Sequence, residues 1–97
     1  MRIEWDRGKN RRNVAKHGIA FQQAALVFED PHALSSKERE VDGEERWQTL
    51  GSLRGVLIVV AHTYYEEYGE EVIRIISARK ATPSQRRAYE ESQWPVG

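Results

Sequence analysis

The spacing of apolar positions changes character several times along the chain, and each change marks an element. Arg2 to Trp5 reads as a short strand. Asp6 is placed to N-cap a helix over about Arg7 to His17, with Gly18 as its left-handed stop. Phe21, Ala24, Ala25 and Phe28 recur at i, i+3, i+4 and i+7, which predicts a second helix ended by Asp30-Pro31. Ala20 is a poor cap for it. His32 to Ser36 suggests a short strand, and Lys37 to Glu45, with Asp42-Gly43, a charged loop. Arg46 to Leu50 alternates polar and apolar residues. Val56 to Tyr64 is β-branched and follows an Arg54-Gly55 turn, and Val72 to Ser77 is another β-rich run after an acidic turn over Glu66 to Glu71. Thr82-Pro83-Ser84-Gln85 combines a capping box with proline at the first helical position. That helix is expected to run to about Glu91, with Trp94-Pro95 as its stop.

These elements sum to one α+β domain over residues 1–97, in the order β-α-α-β-β-β-α. The expected architecture is an antiparallel sheet with helices packed on one face, the other face being left for a partner or substrate. A chain of 97 residues suffices for one domain and not for two.

Charge alters the picture more than composition does. Fifteen Lys and Arg cancel fifteen Asp and Glu, so net charge alone argues against a polyanion ligand. Their order argues the other way. Between Asp6 and Glu29 there is no acid and five cations: Arg7, Lys9, Arg11, Arg12 and Lys16. Between Glu71 and Glu90 the five are Arg74, Arg79, Lys80, Arg86 and Arg87, again with no acid. Two basic segments flanking an acidic one can fold into a positive face that net charge hides; solvated helix faces are the plainer account. The absence of Cys excludes disulfides, thiolate chemistry and Cys-ligated zinc, and fits a cytoplasmic location. Val56 to Ala61, the longest apolar run, is far short of the roughly 20 residues of a membrane span. Met1 to Asp6 has no apolar signal-peptide core.

The three histidines, His17, His32 and His62, lie far apart and form no metal-binding spacing, and neither a phosphate-cradling loop nor a G-x-S-x-G is present. Lys, Arg, His and Tyr remain. Asn13, Lys16 and His17 share a helix face, where Lys16 and His17 would also offset the negative helix end. His62 lies within an apolar strand, the usual setting of a hydrogen-bonded core histidine. Arg74 and Arg79 are five apart and point to opposite faces of a regular strand, unless a bulge or the strand's end intervenes. One chemistry uses this inventory without metal or thiol: attack by the 2′-hydroxyl of RNA on its own phosphate. It needs a base, an acid and cations around the pentacovalent phosphorus. Arg suits the last role because its donor fork matches phosphate oxygens.

Laid end to end, the motifs resemble one family. Glu4-Trp5-Asp6, Lys9, Asn13, Lys16-His17-Gly18, Phe21, Ala24, Phe28 and Asp30-Pro31 look like the N-terminal half of BrnT-type toxins. Glu44-Glu45-Arg46, Leu50-Gly51, Val59-Val60, Thr63, Arg74 to Arg79, Ala81-Thr82, Arg86 and Tyr89 continue it, from about Ile3 to Tyr89 in order. Ala20 departs from the hydroxyl residue usual before Phe21, and His62 stands where the family varies. The resemblance implies a RelE-like fold and a ribonuclease toxin of a type II toxin–antitoxin pair. It implies a BrnA-like antitoxin that carries the contact with operator DNA, with a homodimer within the assembly as a further option. No cofactor or membrane is implied. A site of Lys16, His17, Arg46, Arg74, Arg79 and Tyr89 follows by analogy, with Lys9, Arg12, Asn13, Lys80 and Arg86 as expected RNA contacts. A covering antitoxin is expected to bring acidic and apolar residues to the basic face. The competing reading is a non-catalytic subunit that keeps the fold and the antitoxin contacts.

Overall fold

In the computed structural model, which describes residues 1–93, five strands form one sheet in the order β1-β5-β4-β3-β2. The strands are β1 (Arg2–Trp5), β2 (Leu34–Val41), β3 (Glu44–Leu53), β4 (Val56–Glu67) and β5 (Glu70–Lys80). Helix α1 (Arg7–His17) and the short α2 (Phe21–Ala24) follow β1, α2 running on into a 3₁₀ turn, Ala25–Glu29, and α3 (Pro83–Ser92) follows β5. The expected stop at Trp94-Pro95 lies outside the described residues.

Four expectations need correction. The sheet is mixed, not antiparallel: β1 pairs parallel to β5, whereas β2 through β5 form an antiparallel meander. Four strands, not three, follow the first helices. The charged stretch Lys37 to Glu45 is not a loop but most of a hairpin, with β2 reaching Val41 and β3 starting at Glu44. Only Asp42-Gly43 turns there, both at positive φ (52° and 78°), as the two-residue hairpin geometry demands. Lastly, the helices cover both faces. Ile58, Val60, Ile75 and Ala78 pack with Ile19, Phe21, Ala24 and Val27 on one face, whereas Leu50, Leu57 and Val59 meet Tyr89 of α3 on the other.

The weak cap at Ala20 is compensated by two other side chains, one from α1 and one from α2 itself. The Asn10 side-chain Oδ1 accepts from the Phe21 N–H at 2.8 Å, and the Gln23 side-chain Oε1 accepts from the Ala20 N–H at 3.1 Å. The α1–α2 corner is therefore tied together by side chains. Gly51 allows the 3₁₀ turn to lie close on β3, since a Cβ there would stand 2.6 Å from Val27 Cγ1.

Two features of β5 position the site. Past Ile75 the strand has no β1 partner, and α1 lies along that bare edge instead. Asn13, 6% exposed, stands in for a strand: its amide donates to the Ala78 carbonyl at 2.9 Å and its carbonyl accepts from the Ala78 N–H at 3.1 Å. It also donates to the Ile19 carbonyl at 2.8 Å. The second feature is a bulge. Ala61 pairs with Ser77 and His62 with Ile75, so Ile76 is an extra residue and the side-chain alternation of β5 slips by one.

Candidate nucleic-acid interface

That slip decides where the arginines point. Arg74 pairs with Thr63 and Arg79 with Val59. Thr63 and Val59 are both odd-numbered residues of an unbroken β4 and share a face. Arg74 and Arg79 therefore lie on one face, the outcome that a bulge permits and a regular strand forbids. Arg46 pairs with Thr63 from the other side, so Arg46, Thr63 and Arg74 form a row across three strands. Gln48, Ala61 and Ser77 form the next row, and Leu50, Val59 and Arg79 the one beyond, about 13 Å from the first.

Lys9, on the first turns of α1, reaches over the β5 edge into the first row. Together Lys9, Glu44, Arg46, Thr63, Arg74 and Ile76 line a cleft of about 180 Å³. Two of its donors are buried and unsatisfied: Arg46 Nε and Thr63 Oγ1 have no hydrogen-bond partner among the described residues. Thr63 is only 2% exposed. A buried polar atom without a partner costs about 1–3 kcal/mol, a cost that a ligand oxygen accepting from it would remove. Glu44 Oε2 stands 3.9 Å from Arg46 Nη2, too long for a strong ion pair. The arrangement is three cations and one carboxylate around two unpaired donors, which suits a phosphodiester. Among the described residues no group of His, Asp or Glu side chains is arranged to hold a metal ion.

The upper row is different. Arg79 Nη1 donates to Gln85 Oε1 at 3.1 Å and to the Lys80 carbonyl at 3.2 Å. The Tyr89 hydroxyl donates to Asp30 Oδ2 at 2.7 Å, the same oxygen that accepts the Ser52 N–H at 2.8 Å. Burial pushes the Tyr89 phenol up to about 12, with the Asp30 carboxylate adding to the shift. Burial alone would raise the Asp30 carboxyl, but the N–H groups of Ser52 and His32 and the Tyr89 hydroxyl hold it below its ordinary value. Tyr89 is thus a protonated tether between α3 and the end of the 3₁₀ turn.

Residues 5–85 match the family described as ribonuclease toxin, BrnT, of type II toxin–antitoxin system. The chain belongs to that family. No curated protein is significantly similar to it. BrnT membership supports a ribonuclease toxin's role and implies an antitoxin partner. No helix among the described residues is long and apolar enough to cross a membrane.

Of the residues singled out in the sequence, the BrnT fold brings Lys9, Arg46 and Arg74 into the cleft. Arg79 and Tyr89 share its face but sit in the satisfied upper row. Lys16 and His17 end α1, three and four residues past the Asn13 contact, and their side chains make no hydrogen bond or ion pair among the described residues. Lys80 pairs with Ile58, which places it on the opposite face. Arg12 and Arg86 are exposed on α1 and α3. Asn13 is a buried structural bridge. Sequence reasoning gave no role to Glu44, Thr63 or Ile76, although all three stand in the matched motifs. His62 is 4% exposed and hydrogen-bonded through Nε2 to Thr49 Oγ1 at 2.8 Å, and its burial lowers its pKa. It faces away from the cleft, as its pairing with Ile75 and Trp47 requires.

Proposed function

We propose that this chain is an endoribonuclease that cleaves RNA through its own 2′-hydroxyl in the Lys9–Arg46–Thr63–Arg74 cleft. The carrying observation is the pair of buried donors, Arg46 Nε and Thr63 Oγ1, unpartnered among the described residues and beside two further cations. In this reading the non-bridging phosphate oxygens accept from Arg46, Arg74 and Thr63, and charge developing on phosphorus is stabilised by groups already in place. Glu44 is the one carboxylate among the lining residues and takes the 2′-hydroxyl proton. The 2′-oxygen bonds to phosphorus, the P–O5′ bond breaks, and the departing 5′-oxygen takes a proton from the Lys9 ammonium. The products are a 2′,3′-cyclic phosphate and a 5′-hydroxyl. A divalent cation has no role in this scheme, because the cleft already carries a cationic excess.

Arg79, the half-buried His17 and the exposed Lys16, Arg12 and Arg86 are assigned to the flanking RNA backbone, with Tyr89 holding α3 in position. The neutralising partner is read as a BrnA-like antitoxin that carries the operator-DNA contact, and the fold as RelE-like, acting in the cytoplasm. The test is incubation of purified protein with RNA, with and without EDTA, and analysis of the product ends. Cleavage in EDTA leaving 2′,3′-cyclic or 3′-phosphate ends is expected. Activity abolished by EDTA and restored by Mg²⁺ would overturn the scheme.

A further inference from the structure

Directly behind the cleft, the opposite face of the sheet holds a second concavity. Phe28, Trp47, Thr49, His62, Tyr64 and Ile73 line a groove of about 310 Å³, which α1 and α2 leave open. Its polar groups are already engaged. His62 Nε2 and Thr49 Oγ1 are 2.8 Å apart, Thr49 Oγ1 and Ser35 Oγ are 2.8 Å apart, and His62 Nδ1 lies 3.2 Å from the Thr63 carbonyl. The Phe28 ring meets the His62 imidazole edge-on, with centroids 5.0 Å apart. A nucleobase entering here would leave its hydrogen-bonding edge unmatched, whereas an apolar side chain would not.

Charge around the groove selects its occupant further. Glu66 and Glu71 are direct cross-strand partners beside it, and like charges so placed repel. The neighbouring like pair, Glu67 and Glu70, faces the other way and is bridged by Arg2, at 2.8 Å and 3.9 Å. Glu40 and Glu45 on the groove side share Lys37, each at 3.0 Å. Among the described residues no cation reaches Glu66 or Glu71; Glu71 accepts only from the Tyr64 hydroxyl, at 3.0 Å. At the tip of the same hairpin Tyr68 is fully exposed and takes φ of 51°, a conformation that Asn or Gly adopts more cheaply. An uncompensated acid pair, an apolar slot and an exposed aromatic lie together at one end of the sheet.

We infer that this face docks a segment of the antitoxin carrying an apolar anchor flanked by Lys or Arg. The anchor fills the groove, and the cations neutralise Glu66 and Glu71. RNA is repelled by the acidic rim, and a second copy of the chain would present the same acids against these. The inference rests on the family's antitoxin pairing and not on the cleavage scheme. It separates two roles by face: substrate at the cleft, partner at the groove.

The test measures binding of the full chain to the full-length protein encoded by the adjacent gene, by titration calorimetry at low and high salt. Arg74→Ala serves as the common background, so that expression is tolerated. Glu66→Lys/Glu71→Lys on that background is expected to weaken binding about tenfold or more and to flatten its salt dependence, with the melting temperature held or raised. Tyr68→Ala, at a fully exposed position, gives a smaller loss in the same direction. Adding Lys9→Ala is expected to leave affinity within about twofold. Binding unchanged by the double reversal, binding lost with Lys9→Ala instead, or no complex at all would overturn the inference. So would concentration-dependent self-association of the chain abolished by the reversal, which assigns the face to a second copy. Cleavage does not enter the readout, so a chain that failed to cut RNA would leave the result standing.

Discussion

The two ends of the cationic face differ in one property: whether their polar groups are already satisfied. At the upper end Arg79 is held by Gln85, and Tyr89 and the Ser52 amide converge on one oxygen of Asp30. At the lower end Arg46 Nε and Thr63 Oγ1 are buried with no partner among the described residues. Both ends carry arginines drawn from the same motif, so residue type does not distinguish them. Satisfaction does. A satisfied network orders the fold, and an unsatisfied one in an accessible cleft is poised for a ligand.

The largest expected effect separates the two ends by activity. Arg74→Ala removes an exposed cation from the cleft without touching the core, and a transition-state stabiliser of this kind is typically worth ~10²–10³ in rate. Cleavage is expected to fall by about that much while melting temperature and circular dichroism stay unchanged. Arg79→Ala, which removes a cation already engaged by Gln85, is expected to cost cleavage less. Equal losses from the two substitutions would erase the distinction.

Asn13→Ala tests how the cleft is held. It strips partners from the Ile19 carbonyl and from both backbone groups of Ala78, which is 0% exposed. A destabilisation of about 3 kcal/mol is expected in chemical denaturation, since each buried group left unpaired costs ~1–3 kcal/mol. Because α1 carries Lys9, cleavage should drop as well, unlike the clean split expected of Arg74→Ala. A well-folded Asn13→Ala variant with full activity would show that α1 docks by other means.

How far the sequence foretold this arrangement depended on how local each cause is. The caps at Asp6 and Thr82 and the Arg54-Gly55 turn were legible because their hydrogen bonds close within a few residues. Only the Lys37 to Glu45 part of the β2–β3 hairpin reads as a loop in the sequence, because β2 is an edge strand, exposed nearly throughout, so Lys37-Glu38-Arg39-Glu40 shows no apolar alternation. Its Asp42-Gly43 turn was the available signal. The parallel pairing of β1, the placement of α3 on the opposite face and the Asn10 cap on α2 are tertiary events with no local signature. For the site, the matched motif supplied Lys9, Arg46 and Arg74, but not which cations are free. That depends on the Ile76 bulge and on the course of α1 along β5. Glu44 and Thr63 acquire meaning only once the row across β3, β4 and β5 exists.

The smallest effect concerns the upper end alone and is separable by pH. Tyr89→Phe deletes one hydrogen bond to a carboxylate while keeping the ring against Leu50 and Val59. The bond is partly open to solvent, so a loss of about 1.5 kcal/mol, the low end for bonds to charged groups, is expected. In the folded chain the phenol ionises at about 12, against 10.0 for a free tyrosine. Between those values the unfolded chain gives up the Tyr89 proton and the folded chain keeps it, so the unfolded state binds fewer protons. Stability then falls as pH rises. The tether's contribution is therefore intact below pH 10 and fades toward about 12, and denaturation of the wild type should show that loss beyond what the Phe variant shows. Cleavage near neutral pH should remain close to wild type, because the hydroxyl proton is committed to Asp30 and not to the cleft. A Phe variant that folds with normal stability but cannot cut RNA would move Tyr89 out of the scaffold and into the reaction.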